Sequence, residues 1–144
     1  MINTKKKTLS LVAAAFLAAA CSHMNAQAVK LKPETDGAAS IAKGEVRTMN
    51  ASNDNTRVWV KIEHLAPPQK VADGATTYVV WAQPNGGETA QNIGALQVDD
   101  KLEGSLMTLV PYDNFRLFIT PEASAQVTEP SGEEILAATL PQED

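Results

Sequence analysis

The chain has 144 residues, of which 44% are hydrophobic and 20% charged, and this length fits one domain with a single core. Beyond the three lysines of the first 20 residues, nine basic residues stand against 17 acidic ones, a net charge of −8. Such an acidic balance argues against binding to nucleic acid or to anionic membrane surfaces, because both require a basic patch. The single cysteine excludes an internal disulfide.

The first 21 residues have the pattern of an export signal, with lysines at 5–7 and an apolar run, 9–20, that is too short to span a membrane. Small residues then lead to Cys21. This arrangement resembles a bacterial lipobox, which implies that Cys21 is acylated and becomes the new N-terminus. Ser22 in place of Asp then implies the outer membrane, facing the periplasm. The alternative is cleavage after Ala28, within an Ala-x-Ala site, which would release a free periplasmic or secreted protein.

The segment after Cys21 predicts a flexible tether, because its residues are small and polar and include Pro33 and Gly37. It contains at most one short strand, Val29–Leu31. The predicted organisation is therefore a lipoprotein signal peptide at 1–20, a lipidated Cys21 with a tether at 21–40, and a folded domain at 41–144.

From residue 41 onward, short alternating segments separated by Pro and Gly turns predict β-strands. In the segment 56–65, Val58, Val60 and Ile62 are predicted to face the core. The nearly continuous apolar run at 76–83 predicts a central strand. Further strands are expected at 45–49, 93–98, 105–110, 114–120 and 134–140. Seven or eight such strands predict an all-β fold, an antiparallel immunoglobulin-like β-sandwich without the cysteine pair of antibody domains.

The middle of the chain has a second recognisable pattern. A strand with Tyr78 and Trp81 leads to a second strand around Gly94, and a Thr-Glu-Pro-Ser-Gly turn at 128–132 precedes the last strand. Residues 75–140 thereby resemble the extracytoplasmic C-terminal domain of anti-sigma-K-type factors, which short bacterial lipoproteins also carry alone. The resemblance implies a fold and no activity, since it depends on core and turn residues. The family's sigma-binding segment and transmembrane helix have no counterpart in this sequence, so we do not expect regulation of a sigma factor.

The residues that could carry chemistry are few. His64 follows Glu63, but neighbouring strand residues point to opposite faces, and the domain offers no second histidine for a metal site. No serine lies in a Gly-x-Ser-x-Gly motif, and the acidic residues at 99, 100 and 103 lack the spacing of a calcium loop. We therefore expect no enzyme, no metal and no cofactor.

The two tryptophans are the remaining candidates for binding. Trp81 lies in the most apolar strand and is predicted to belong to the core. Trp59 shares the predicted solvent face with Arg57 and Lys61, where an exposed indole could stack on a sugar or anchor a protein. We expect a non-catalytic, lipid-anchored envelope module that binds an envelope protein or glycan. The alternative function is a carbohydrate-binding sandwich that uses Trp59.

Overall fold

The computed structural model describes residues 28–87 and 89–141, and these residues form nine β-strands that pair only in antiparallel fashion. A 3-10 turn, Ser52–Asp54, and a one-turn helix α1, Pro68–Val71, complete the structure. The expected all-β antiparallel sandwich is confirmed. The strands are β1 Ala28–Pro33, β2 Lys43–Asn50, β3 Thr56–Glu63, β4 Thr77–Pro84, β5 Gln91–Ala95, β6 Gln97–Val98, β7 Gly104–Val110, β8 Phe115–Glu122 and β9 Leu136–Leu140.

All nine strands belong to one curled sheet in the order β5-β4-β8-β9-β1-β2-β3-β7-β6. The sheet folds over at β1, which pairs with β2 through residues 28–31 and with β9 through residues 32 and 33. At the other margin only Leu96 separates β5 from β6, and its backbone N–H donates to the Tyr78 carbonyl at 2.9 Å. Gly94 of β5 lies close to Leu106 of β7: a Cβ atom added to Gly94 would be 2.9 Å from Cδ1 of Leu106. The two halves of the sheet therefore face each other in a barrel-like sandwich.

The main core lies between these two halves. Val58, Val60 and Ile62 of β3 are fully buried in it, as the alternation predicted. Each such side chain contributes about 1.5–3 kcal/mol through burial of apolar surface. Because strand residues alternate between faces, the burial of these three places Trp59 and its neighbours on the outside of the sheet.

A second, smaller cluster lies on the outer face of β4, β8 and β9. Trp81 is fully buried there against Val79 and Phe118, with Ala90 and Val127 packed over them from the connecting segments. Strand β4 is thus covered on both faces, which explains its continuous apolar sequence. The prediction that Trp81 belongs to the core is confirmed.

The beginning of the domain differs from the predicted tether. The short strand expected at 29–31 extends over Ala28–Pro33 and lies between β9 and β2, with Val29 and Leu31 buried. The sheet therefore includes Ala28–Pro33, which the prediction had placed in the tether before residue 41. Two apolar residues are too short a pattern to indicate a central strand, and the strand depends on neighbours that are distant in sequence. The signal peptide, Cys21 and His23 lie outside the described residues.

The structure also differs from the prediction at β5 and β6 and at the end of β8. The single strand expected at 93–98 is two strands, because Leu96 turns inward between β5 and β6 and is buried. Strand β8 continues through Pro121 to Glu122. A proline is tolerated there because β9 pairs with β8 only as far as Ile119, so that β4 is the single neighbouring strand at Pro121.

Candidate functional site

The solvent-side residues of β1, β2, β3 and β7 form one surface, which we call the Trp59 face. Cross-strand pairing places Ala28, Arg47, Trp59 and Met107 in one row. On one side of it lies the row Lys30, Glu45, Lys61 and Ser105, and on the other side the row Met49, Arg57 and Leu109. The structure thus brings Arg57, Trp59 and Lys61 onto one face, as the alternation predicted, although a binding role for them stays a prediction.

Large apolar side chains are exposed at the centre of the Trp59 face. Trp59 is 43% exposed, its cross-strand neighbour Met107 is 67% exposed, and Leu109 and Met49, on either side of Arg57, are 55% and 36% exposed. Neighbouring large apolar side chains that are exposed together are more frequent at interaction sites than on the rest of a protein surface. The outer face of β4 and β8 offers a comparison, since connecting segments of the chain cover Trp81 there.

The same face gathers positive charge. Over β2, β3 and the part of β1 that pairs with β2, it carries five of the nine basic residues between 28 and 141 and only two acidic ones: Lys30, Lys43, Arg47, Arg57 and Lys61 against Glu45 and Glu63. Lys32 is also exposed on this side of β1 but lies at the bend, where β1 pairs with β9. Surface ion pairs join Arg47 to Glu45 at 3.2 Å and Lys61 to Glu63 at 3.6 Å. The other three cations form no ion pair with a described residue. The basic patch that the acidic composition argued against is therefore present on one face of the domain.

Arg47 and Trp59 are in direct contact at the centre of the face. The guanidinium carbon of Arg47 lies 5.4 Å from the centroid of the indole, a cation–π distance. Its Nε atom is buried without a hydrogen-bond partner among the described residues. A sugar ring that stacked on this side of the indole would first have to displace Arg47.

Two shallow hollows adjoin the face. The first, of about 550 Å³, is lined by Trp59, Arg47 and Lys61 together with Gln97, Asp99 and Glu103. The second, of about 680 Å³, is lined by lysines 30, 43 and 61, by Glu45 and Glu63, and by apolar residues that include exposed Ile41. The first hollow combines an aromatic ring with polar side chains, which is the composition of a carbohydrate site. The second has one more lysine than glutamates, together with apolar side chains.

The residues considered for catalysis or metal binding are not brought together. His64 is exposed after β3 with a left-handed φ of 57°, and its side chain makes no hydrogen bond or ion pair with a described residue. Asp99 accepts hydrogen bonds from the backbone N–H groups of Lys101 and Glu103, at 2.9 and 3.0 Å, and so closes its own turn. Within the ranges 28–87 and 89–141, no three acidic, histidine or cysteine side chains could hold a metal ion together.

One buried acidic residue was not anticipated from the sequence. Glu122 is 1% exposed, and its carboxylate accepts hydrogen bonds from the Thr120 hydroxyl at 2.7 Å, the Ser131 hydroxyl at 2.5 Å and the backbone N–H groups of Ser131 and Gly132. Thr120 in turn accepts from the indole N–H of Trp81 at 2.8 Å. Burial raises the pKa of Glu122, but these hydrogen bonds outweigh it and lower the pKa below its usual value. The carboxylate thus holds the loop after β8 over Trp81.

The sequence also did not single out Lys30, Lys43, Met107 and Leu109 as members of the site. The alternation in each strand shows which residues point outward. No local signal in the sequence shows that β1, β2 and β7 lie beside one another with β3.

Comparison with known proteins assigns the chain to no group: no family model matches it, and no curated protein is significantly similar to it. Among the residues that the structure describes, no helix has the length and apolar character needed to cross a membrane. Function therefore has to be inferred from the chemistry of the domain itself.

Proposed function

We propose that the protein is a non-catalytic, lipid-anchored module of the cell envelope that docks on another envelope component through the Trp59 face. The observation that carries this proposal is the open face itself, where exposed Trp59, Met107 and Leu109 share the surface with cations that form no ion pair with a described residue. On the other half of the sheet, the outer face of β4, β8 and β9 is covered by Ala90 and Val127 of the connecting segments. An uncovered face with an aromatic residue and arginines at its centre has the composition of a binding surface.

Lipid anchoring at Cys21 is supported by the position of β1. Cleavage after Ala28 would place a charged amino group on Val29, a buried residue that pairs with Val46 within the ladder. It would also remove Ala28 from its pairing with Arg47. Cleavage before Cys21 leaves the whole strand intact, and the lipobox resemblance then implies the outer membrane.

The anchor is tested by the intact mass of the mature protein purified from membranes. We expect the mass of residues 21–144 plus acyl groups. The Cys21→Ser variant should move from the membrane to the soluble periplasmic fraction. An unlipidated protein beginning at Val29 would refute the anchor.

The docking face is tested by photo-crosslinking in intact cells. A photoreactive amino acid replaces Met107 on the face and, as a matched control, Lys70, which is exposed on α1. We expect adducts from position 107 and none from position 70, and mass spectrometry of the adduct shows whether the partner is protein, glycan or lipid. Equal labelling from both positions, or none from position 107, would contradict docking through this face.

Carbohydrate binding is the second candidate, because the first hollow places Trp59 beside Gln97 and the carboxylates of Glu45, Asp99 and Glu103. A glycan screen of the wild-type protein and of the Trp59→Ala and Arg47→Ala variants tests this candidate. Trp59→Ala should abolish binding, and Arg47→Ala should strengthen it by uncovering the indole. A glycan that still binds the Trp59→Ala variant binds elsewhere. The resemblance to anti-sigma-K-type factors stays an expectation about the fold of residues 75–140.

A further inference from the structure

We infer that the Trp59 face rests on the anionic phospholipid surface of the membrane to which the chain is anchored. This inference deepens the proposed function and depends on it for the anchor. It names a lipid surface, rather than a protein or a glycan, as the component that covers the face.

The charge distribution favours an anionic lipid surface. The mature chain carries a net charge of −8, yet the Trp59 face has five cations and two anions. With this face toward anionic headgroups, its cations are attracted, and only two of the described acidic residues, Glu45 and Glu63, lie on it. Near such a surface each lysine or arginine shifts the equilibrium by about fivefold. Lys30, Lys43 and Arg57 are available for this, because none of them forms an ion pair with a described residue.

The apolar residues of the face are suited to the headgroup region. Trp59 lies in the middle, with Met107 beside it and with Leu109 and Met49 in the next row. Proteins that lie on a membrane combine lysine and arginine with tryptophan and aliphatic side chains on one surface. Tryptophan in particular prefers the boundary between headgroups and acyl chains. Here a sheet rather than a helix presents this combination.

The start of β1 leaves the anchor within reach of the same face. Ala28 is exposed and lies in the row of Arg47 and Trp59, so β1 begins on the Trp59 face. Cys21 lies seven residues earlier, and seven residues span at most about 25 Å when fully extended. A lipid on Cys21 therefore keeps this face at a high effective concentration near the bilayer, and modest attraction is enough for docking.

The same observations weigh against a stacked sugar as the occupant. Arg47 covers part of the indole, and the hollow beside Trp59 is bordered by Asp99, which is engaged in its own turn. The cations that lack an ion-pair partner among the described residues lie on β1, β2 and β3, away from this acidic corner. A planar, negatively charged surface matches that distribution.

The test uses the lipidated protein reconstituted into vesicles of phosphatidylcholine alone or of an equal mixture with phosphatidylglycerol. Acrylamide and brominated lipids report whether Trp59 is in water or among lipids. The Trp59→Phe variant measures the fluorescence of Trp81 alone, which is fully buried, and this signal is subtracted. In the anionic vesicles we expect Trp59 to lose its access to acrylamide and to be quenched by the brominated lipid.

Charge variants make the test specific to the face. Arg57→Gln should lower the ratio of docked to undocked protein by about fivefold. Lys70→Gln removes the same charge from α1 and should leave the ratio unchanged. If Trp59 is as accessible in anionic vesicles as in phosphatidylcholine, or if both variants behave alike, the inference is overturned.

The inference and the proposed function can fail separately. Protection of Trp59 in native membranes but not in vesicles would replace the lipid surface with another envelope component, and the proposed function would stand. A mature protein without lipid would refute the anchor. The unlipidated protein added to the same vesicles then decides the inference: co-sedimentation with anionic vesicles that Trp59→Ala abolishes supports it, and no co-sedimentation overturns it.

Discussion

Replacement of Glu122 by glutamine tests how the loop after β8 is held over Trp81. The carboxylate is buried and accepts four hydrogen bonds, three of them on one oxygen. A glutamine has nearly the same shape. Its carbonyl oxygen can accept the same three bonds, and its amide can donate to the Ser131 hydroxyl. The substitution therefore removes the negative charge with little change in packing.

The expected cost follows from the strength of these bonds. A hydrogen bond to a charged group contributes about 1 kcal/mol more than a neutral one, so four such bonds lose about 4 kcal/mol. Part of this loss of stability is recovered, because neutral glutamine avoids the free-energy cost of burying a charge. The lowered pKa of Glu122 shows that the hydrogen bonds outweigh burial, so the net effect is destabilising. We expect Glu122→Gln to lower the free energy of unfolding by about 2 kcal/mol at pH 7.

The effect should depend on pH in a defined direction. The folded pKa of Glu122 lies below the usual value of 4.5, so its contribution is fully present above that pH and is lost as the pH falls through the folded value. Urea unfolding of residues 22–144, followed by tryptophan fluorescence, measures it. The difference between wild type and Glu122→Gln should shrink from pH 7 to pH 3. A difference that is absent at pH 7, or that Glu129→Gln in the same loop reproduces, would refute the reasoning.

Three further predictions concern the tryptophans and one glycine. Acrylamide should quench wild-type fluorescence through Trp59, and Trp59→Phe should remove the readily quenched component; a shielded Trp59 would contradict the open face. Trp81→Ala should lower stability by about 3–5 kcal/mol, as expected for a core aromatic residue, whereas Trp59→Ala should cost about 1 kcal/mol or less. Gly132→Ala should cost about 3 kcal/mol in thermal or urea unfolding, because its Cβ would lie 2.0 Å from the Pro121 carbonyl oxygen; a neutral effect would show that the loop shifts freely.

The sequence predicted the features that depend on neighbouring residues. Alternation in 56–63 correctly separated the buried Val58 and Val60 from Trp59, because successive strand residues point to opposite faces. The continuous apolar run of β4 correctly indicated a strand covered on both sides. By contrast, β1 contains only two buried apolar residues, Val29 and Leu31, and was assigned to a tether that begins before it. Its place in the sheet depends on β2 and β9.

The sequence by itself thus determined most of the strands after β1, the inward and outward residues of β3, and the core position of Trp81. Tertiary structure decided which outward residues meet. Lys30, Lys43 and Arg57 come from three strands, and only the pairing order places them on the same face as Trp59. The physical reason is range: side-chain alternation is a property of each strand, whereas strand pairing and the capture of Glu122 by the loop at Ser131 are contacts between distant segments, selected by packing of the whole sheet.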